Sequence, residues 1–379
     1  MKPTIVTIVG TRPEIIRLSR VIAKLDETVN HVFVHTGQNY DPKLNDIFFS
    51  EMKIRKPDHF LSVDTSSLGS VMGETLLKAE EVFLKHKPDG VLILGDTNSA
   101  VAALIAKRMH IPVYHMEAGN RSFDENVPEE TNRRMVDHVS DFNLAYTEHA
   151  RRNLLAEGLN PRRVVVTGSP MREILNHYKA EIEASTVLDS LNLSRGQYFL
   201  VSAHRQENVD EPVRLVELLE SLKAIHVEWN VPVLISTHPR TRRQLESLEG
   251  YSATPGLIFH EPFGFFDYNK LQQNALAVLS DSGTISEEAT ILGFPAVTIR
   301  DSMERPEALE VGGIVMTGLL RAEVISGVRE VIANPPKVDR TLPHGYEVSN
   351  VAELVVRFIL STVSRHHDWA GIRRQTNRP

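Results

Sequence analysis

The chain has 379 residues, a length that favours two domains of ordinary size over one large core. Its apolar fraction of 41% and charged fraction of 24% are typical of soluble globular proteins, and no apolar run approaches the ~20 residues of a membrane helix. The net charge of −7 argues against nucleic acid as a general partner, and zero cysteines exclude disulfides and thiolate chemistry. The first ten residues resemble a first strand rather than a signal peptide, so we expect a cytoplasmic protein without a membrane partner.

Strands and helices alternate from the start of the chain, which predicts a parallel, doubly wound α/β sheet. The predicted elements of the first half are the strands Thr4–Val9, Val32–Thr36, Gly90–Leu94 and Pro112–Met116 and the helices Pro13–Leu25, Ser67–Lys85 and one from Ser99. The turn after the first strand lacks the three spaced glycines of a dinucleotide-binding motif, and no Walker A loop occurs in the chain. NAD-dependent and P-loop chemistry are therefore excluded.

The sequence Gly168-Ser169-Pro170 predicts the crossing between two domains, and a second doubly wound unit begins at Tyr198. Its predicted strands are Phe199–Ser202, Val231–Ser236, Ala275–Leu279 and Ala296–Ile299. We expect an N-terminal Rossmann-like domain at 1–168, completed by a helix at 351–365, and a C-terminal domain at 169–350. Residues 366–379 are expected to form a frayed basic tail without a metal role.

The turn Ser282-Gly283-Thr284 joins a predicted strand to a helix that begins near Ile285. Free backbone N–H groups and the positive end of the helix dipole favour a diphosphate there, and Glu287 or Glu288 is placed to reach a sugar hydroxyl. The alternative is an ordinary turn with Ser282 as N-cap and two acidic residues that complement the dipole.

Further charged groups are predicted at the same edge of the second sheet. Arg300 and the sequence Glu304-Arg305-Pro306-Glu307 follow one strand, and His204 and His238 follow two others. A lone histidine is more often structural than functional. Several such clusters at the carboxyl ends of parallel strands favour a nucleotide site, because open α/β sheets bind ligands there.

Three carboxylate clusters follow elements of the first sheet. Asp96 and Glu117 come directly after strands, and Glu129 and Glu130 open a helix. Each alone is explained by helix capping or turn formation. Three clusters at one sheet edge favour acid–base chemistry. Arg17, one turn into the first helix, is either a phosphate ligand or a solvated surface cation.

Seven motifs occur in order along the chain: GTRPE, GDTN, HMEAGNR, PEETNR, AHRQEN, SDSGTISEE and ERPEA. This pattern resembles the non-hydrolysing UDP-N-acetylglucosamine 2-epimerase family from about Thr4 to Leu360. The resemblance implies two Rossmann-like domains in the glycosyltransferase-B arrangement, which close over a UDP-sugar in the cleft between them. It also implies a homodimer and a reaction that needs neither metal nor nicotinamide.

The resemblance assigns roles motif by motif. The implied catalytic residues are Asp96, Glu117, Glu129 and His204. The implied nucleotide-sugar ligands are Arg12, Arg17, His238, Ser282, Gly283, Thr284, Glu288 and Arg305.

Several positions depart from the pattern of family members that act on UDP-N-acetylglucosamine. Those members usually carry a lysine at Arg17, a leucine at Asn120, a second glycine at Thr284, and GHRRE in place of AHRQEN. The motifs AHRQEN, GSPM and SDSGTISEEA are similar to the branch that forms UDP-N-acetyl-L-fucosamine from UDP-2-acetamido-2,6-dideoxy-L-talose for surface polysaccharides such as capsule and O antigen. The alternatives are a UDP-N-acetylglucosamine/UDP-N-acetylmannosamine 2-epimerase, a retaining glycosyltransferase of the same architecture, or a nucleotide-sugar-binding regulator.

Overall fold

The structure is a computed structural model that describes residues 2–38, 49–248, 254–336 and 342–372. The chain forms two compact units. Unit 1 comprises Met1–Asn176 and His344–Pro379, and unit 2 comprises His177–Pro343. No helix in the described ranges is long and apolar enough to cross a membrane.

Unit 1 is built on a parallel sheet. Its strands are β1 (Thr4–Val9), β2 (Asn30–His35), β3 (His59–Phe60), β4 (Gly90–Leu94), β5 (Val113–Met116), β6 (Phe142–Ala145) and β7 (Val164–Val166). Its helices up to residue 177 are α1 (Arg12–Thr28), α2 (Leu68–His86), α3 (Ala102–Arg108), α4 (Pro128–Val139), α5 (Glu148–Ala156) and α6 (Met171–His177), with short 3₁₀ turns at Asn98–Val101 and Pro161–Arg163. Within the described residues the strand order is β3-β2-β1-β4-β5-β6-β7.

Strand order in unit 1 determines where a ligand site forms. The chain winds outward from β1 through β2 to β3 and then crosses back to β4, which pairs with β1 on its other side. The loops after β1 and β4 therefore diverge over opposite faces of the sheet and leave a crevice at its carboxyl edge. The GTRPE motif begins in the loop after β1 and continues into α1, and the GDTN motif directly follows β4.

Unit 2 repeats the same topology. Its strands are β8 (Phe199–Ser202), β9 (Val233–Ser236), β10 (Leu257–His260), β11 (Ala277–Ser280), β12 (Ala296–Thr298) and β13 (Val315–Met316). Its helices are α7 (Lys179–Ala184), α8 (Val187–Ser190), α9 (Gln206–Val209), α10 (Pro212–Trp229), α11 (Pro239–Glu246), α12 (Phe265–Asn274), α13 (Ile285–Leu292), α14 (Glu307–Glu310) and α15 (Arg321–Ala333). The described strands are parallel in the order β10-β9-β8-β11-β12-β13, so the equivalent crevice lies between β8 and β11.

Both faces of the unit 2 sheet are covered by apolar side chains. Phe199 and Val201 of β8 pack in one buried cluster with α10 and α15, whereas Leu200 packs in the cluster on the other face. Side chains alternate between faces along a strand, so a continuous apolar run is what a sheet covered on both sides requires. The prediction of two parallel, doubly wound Rossmann-like domains is confirmed.

The C-terminal part of the chain returns to unit 1 as α16 (Val351–Thr362) and α17 (His366–Ala370). Helix α16 packs against α1, and the side chain of Glu173 accepts a hydrogen bond of 2.9 Å from the backbone N–H of Ala352 at its start. The expectation of a frayed tail from residue 366 differs from this arrangement. The side chain of His366 is buried, with Nε2 3.3 Å from the carboxylate of Asp141, and this burial lowers the pKa of His366. Residues 373–379 of that tail lie outside the described residues.

His35 at the end of β2 is a buried titratable group. Its ring stacks on Phe60 with centroids 5.0 Å apart, and its Nδ1 accepts a hydrogen bond of 2.9 Å from the backbone N–H of Gly37. Burial lowers the pKa of His35 to about 4. Between pH 6.5 and pH 4, His35 is therefore protonated in the unfolded chain but not in the folded chain.

We expect the free energy of unfolding of unit 1 to fall as the pH is lowered through this window, with His35 accounting for up to roughly 3 kcal/mol. His35→Asn keeps an acceptor for Gly37 and should flatten the pH dependence. Urea unfolding between pH 4 and pH 7 measures the slope, with the exposed His344→Asn as control. Equal slopes in wild type and His35→Asn would contradict the assignment.

Candidate functional site

A buried carboxylate, Glu14, joins the two loops that flank the crevice of unit 1. It accepts hydrogen bonds from the backbone N–H groups of Gly10 and Thr11 in the loop after β1, and from the hydroxyls of Thr97 and Ser99 after β4. Burial raises the pKa of Glu14, although all four hydrogen bonds act in the opposite direction. Sequence reasoning did not select Glu14. The capping-box spacing of Thr11 and Glu14 was the available signal.

Asp96 is held by a nearly buried arginine. Its Oδ2 accepts hydrogen bonds from Arg133 Nε at 2.9 Å and pairs with Nη2 at 2.7 Å. Arg133 also contacts Glu130 through Nη1 at 3.0 Å. Burial opposes ionisation of Glu130, but hydrogen bonds from Ser122 and the charge of Arg133 outweigh it and hold its pKa below the usual range. Helix α4 is thereby locked onto the turn that carries Asp96.

Glu117 follows β5 in a left-handed backbone conformation, with φ of 65°. Such a conformation is uncommon for a residue other than glycine and is concentrated at functional sites. Its carboxylate forms an ion pair with Arg17, and the side chains are only 9% and 5% exposed. The amide of Asn120 lies 3.5 Å from the other carboxylate oxygen. Arg17 is therefore not a solvated surface cation, which was one of the two interpretations of the sequence.

A layer of polar side chains beneath these acids supports their turns. His115 contacts the carbonyl of Gly95 through Nε2 at 2.8 Å, and its Nδ1 lies 2.9 Å from Asp137. Asp137 in turn accepts the backbone N–H of Gly119 and a guanidinium N–H of Arg121. The turns before Asp96 and after Glu117 are thus anchored to one buried network.

Glu129 and Arg12 occupy helix starts at the same edge. Glu129 is the second residue of α4, is half-buried, and has no hydrogen bond or ion pair with any residue in the described ranges. Its neighbour Glu130 is the member of the pair that is bound by arginines. Arg12 opens α1 and is half-buried.

In unit 2 the crevice between β8 and β11 contains a second buried carboxylate, Asp281. It is fully buried and accepts the backbone N–H groups of His204 and Arg205, both at 3.0 Å, and the side-chain amide of Asn208 at 3.2 Å. The loop after β8 is thereby tied to the loop after β11. Asp281 was not among the residues selected from the sequence.

The loop Ser282-Gly283-Thr284 follows Asp281 and leads into α13. Thr284, rather than Ser282, stands at the N-cap position, and the two hydroxyls lie 3.0 Å apart. The carbonyl of Gly283 accepts a hydrogen bond of 2.7 Å from Arg305. A Cβ at Gly283 would lie 2.5 Å from Oε1 of Glu304, so the backbone is closely approached at this residue.

The two acidic residues at the start of α13 have different partners. Glu287 is fully buried and forms an ion pair of 2.6 Å with Arg305. Glu288 accepts a hydrogen bond of 2.6 Å from the side-chain amide of the buried Gln272 on α12. Both acids therefore have polar partners within unit 2, and Glu288 is the one that the family resemblance implies as a nucleotide-sugar ligand.

His204 and His238 lie together, with ring centroids 6.0 Å apart. Nδ1 of His238 accepts a hydrogen bond of 3.3 Å from the backbone N–H of Arg240 at the start of α11. The side chain of His204 is 41% exposed. Among the described residues, no group of three or more histidine or carboxylate side chains is placed to hold a metal ion.

The residues selected from the sequence thus fall into two sets, one in each unit. Asp96, Glu117, Glu129, Arg12 and Arg17 lie at the carboxyl edge of the unit 1 sheet. The members in unit 2 share the loops after its strands or the start of α13: His204, His238, Ser282, Gly283, Thr284, Glu288 and Arg305.

Several known proteins are similar to this chain in structure and in sequence. The structure of UDP-N-acetylglucosamine 2-epimerase from Rickettsia bellii matches with a TM-score of 0.92 and 43% identity, covering 98% of this chain and 100% of that one. The Methanocaldococcus jannaschii UDP-GlcNAc 2-epimerase in complex with UDP-GlcNAc and UDP matches with a TM-score of 0.89 and 35% identity over 94% and 99% of the chains. A UDP-2,3-diacetamido-2,3-dideoxy-D-glucuronate 2-epimerase of Pseudomonas aeruginosa is 37% identical over 93% of this chain and 99% of its own length.

The model of one protein family, described as UDP-N-acetylglucosamine 2-epimerase, matches residues 23–360, which is most of the chain. The family resemblance inferred from the seven motifs is therefore confirmed, and this chain belongs to the UDP-N-acetylglucosamine 2-epimerase family.

Proposed function

We propose that this chain is an isomerase that inverts C2 of a UDP-linked 2-acetamido sugar. Its proposed product is UDP-N-acetyl-L-fucosamine, formed from UDP-2-acetamido-2,6-dideoxy-L-talose for a surface polysaccharide. Family membership supports the 2-epimerase activity. The structural observation that carries the proposal is the set of carboxylates at one sheet edge: Asp96 and Glu117 follow neighbouring strands, and Arg133 ties Asp96 to the helix that Glu129 opens.

The chemistry requires more than simple deprotonation, because the C2 proton of such a sugar is not adjacent to a carbonyl group. In the proposed route a carboxylate takes the C2 proton, the electrons of that bond form a C1=C2 double bond, and the C1–O bond to UDP breaks. UDP leaves with the electron pair and a glycal remains. Protonation of C2 from the opposite face, with return of a UDP oxygen to C1, gives the epimer. Two faces of C2 require two acid–base groups, each contributing about 10²- to 10⁴-fold in rate.

Glu129 is the candidate whose environment best suits proton transfer. Its carboxylate has no hydrogen bond or ion pair within the part of the chain that the structure describes, so its oxygens are available to substrate. The two other acids each have an arginine partner, Arg133 for Asp96 and Arg17 for Glu117. We infer that Glu129 is one acid–base group and that Asp96 or Glu117 serves the other face.

Unit 2 supplies the proposed nucleotide site. Backbone N–H groups of the loop Ser282-Gly283-Thr284 and the start of α13 would hold the diphosphate, and Glu288 would bind the ribose. Cations near this loop, Arg305 above all, would stabilise the negative charge that develops as UDP departs.

The choice of sugar rests on what surrounds Glu117. Arg17 and Asn120, two of the positions that depart from the UDP-N-acetylglucosamine pattern, both contact the Glu117 carboxylate. A changed orientation of an acid–base group is a direct way to favour a different sugar ring, because proton transfer depends on geometry. The second candidate is a UDP-N-acetylglucosamine/UDP-N-acetylmannosamine 2-epimerase, which the names of the R. bellii and M. jannaschii relatives favour.

Turnover in D₂O tests the activity and the substrate together. We expect deuterium at C2 of the UDP-sugar without any acceptor, in buffer with EDTA and without added NAD, and a kcat/KM far higher for the UDP-linked 6-deoxy-L-talose derivative than for UDP-N-acetylglucosamine. Proton NMR of the product and initial rates measure these outcomes. Equal or better kcat/KM with UDP-N-acetylglucosamine would favour the second candidate, and no deuterium with any sugar would reject the epimerase.

The carboxylates are tested by isosteric replacement. Asp96→Asn, Glu117→Gln and Glu129→Gln should each lower kcat by about 10² or more, because each removes a proton-transfer group or its charge. UDP affinity should change little, since the nucleotide is assigned mainly to unit 2. Glu125→Gln, an exposed acid in the loop before α4, is the matched control. Full activity in all three variants would remove the mechanism.

The phosphate loop is tested at Gly283. Gly283→Val places carbon atoms where Glu304 and Arg305 lie and where a phosphate would approach the backbone, so UDP affinity should fall at least about ten-fold. Titration calorimetry with UDP measures it. Gly73→Val is the control, because a Cβ there has no neighbouring atom within 4 Å. Unchanged UDP affinity in Gly283→Val would exclude this loop as the site.

A further inference from the structure

Asp281 connects the two loops of unit 2 from which ligand contacts are proposed. It is the residue between β11 and Ser282, so its backbone continues directly into the phosphate loop. Its carboxylate, fully buried, accepts the N–H groups of His204 and Arg205. The backbone carbonyl of Asp281 also accepts a hydrogen bond of 3.0 Å from Nε of Arg205.

The same carboxylate faces the imidazole of His204. Nδ1 of the ring lies 3.4 Å from Oδ1 of Asp281. This separation exceeds an ordinary N–H···O distance by about 0.5 Å. Hydrogen bonds of this kind in structures without substrate are often long and tighten when the reacting complex forms. Two backbone N–H groups of the His204 loop and the side-chain amide of Asn208 on α9 fix the position of the carboxylate relative to the ring.

Other charged groups near this pair do not replace Asp281. The ring of His238 lies 6.0 Å from that of His204, and its Nδ1 is engaged by the N–H of Arg240. Arg205 extends between Glu207, at 3.6 Å, and Glu304, at 3.5 Å. The carboxylate of Asp281 lies within ion-pair distance of the His204 ring.

We propose that Asp281 is a positioning residue for His204. It holds the ring in the tautomer with the proton on Nδ1, so that Nε2 is the nitrogen that exchanges a proton with the bound UDP-sugar. When Nε2 takes up a proton, the adjacent carboxylate stabilises the imidazolium, as a buried acid does for a histidine general base. The proposal rests on the proposed function for the role of His204 in turnover, although the tautomer itself does not depend on it.

A consequence concerns how the two loops act together. Asp281 belongs to the phosphate loop by sequence and to the His204 loop by hydrogen bonding. Any shift of Ser282 and Gly283 on binding a diphosphate therefore moves the carboxylate that orients His204.

The tautomer and the pKa of His204 are measured by NMR of the full chain labelled with ¹⁵N-histidine, with the His204 signals assigned from the spectrum of His204→Gln. In the wild type we expect the Nδ1–H tautomer to predominate. Asp281→Asn should abolish that preference and lower the pKa of His204 by about one unit or more, because a negative charge next to the imidazolium is lost. Asp301→Asn, an exposed acid of the same unit paired with Arg214, is the control and should leave both quantities unchanged.

Kinetics supply the second readout. Asp281→Asn should lower kcat at least about ten-fold and shift the histidine limb of the pH profile to lower pH, with KM and UDP affinity within about three-fold of the wild type. A folded Asp281→Asn protein with unchanged tautomer, pKa and kcat would overturn the proposal. A wild-type His204 that carries its proton on Nε2 would overturn it even if Asp281→Asn failed to fold. A wild type inactive on every UDP-sugar would reject the proposed function, while the tautomer and pKa would still decide the role of Asp281.

Discussion

In each unit, a buried carboxylate accepts the backbone N–H groups of the loop that follows the first strand. Glu14 accepts those of Gly10 and Thr11 after β1, and Asp281 accepts those of His204 and Arg205 after β8. A carboxylate without partners in such a place would cost several kcal/mol, whereas several N–H donors offset that cost and fix the loop in one conformation. The same acids also belong to, or bind, the loop after the neighbouring strand, β4 or β11. The shape of both crevices therefore depends on these two interactions.

The acidic side chains at the candidate site of unit 1 are paired with arginines next to them, although the chain as a whole is acidic. The chain has a net charge of −7, yet Asp96, Glu117 and Glu130 each have an arginine within ion-pair distance. Pairing fixes the orientation of these acids. Glu129 differs from these neighbours because it has no such partner among the described residues.

Much of the fold was predictable because the local signals agreed with the tertiary structure. Apolar runs such as Gly90–Leu94 are long enough to be buried strands, and the motifs follow them at the edge where parallel sheets bind ligands. Asp281 was missed because its backbone partners come from a loop about eighty residues away in sequence. The capping-box spacing of Glu14 was a local signal, but it does not reveal the partners of Glu14 in the loop after β4. The sequence also did not decide whether Arg17 is a ligand or a surface cation, because its burial depends on Glu117, a hundred residues further along the chain. Residue 366 was expected to begin a frayed tail because histidine and basic residues cluster in that part of the sequence. The sequence alone does not show that the partner of His366 is Asp141 of unit 1.

Arg17 and Asn120 both contact the carboxylate of Glu117 in unit 1. An arginine differs from a lysine at position 17 because its planar guanidinium fixes the direction of the carboxylate it binds, whereas an ammonium group acts as a point charge. An asparagine differs from a leucine at position 120 because its amide reaches the other oxygen of Glu117. Both changes therefore act on the orientation of a single carboxylate. We infer that the sugar is selected in part by where Glu117 points, which couples substrate specificity to proton transfer instead of to binding alone.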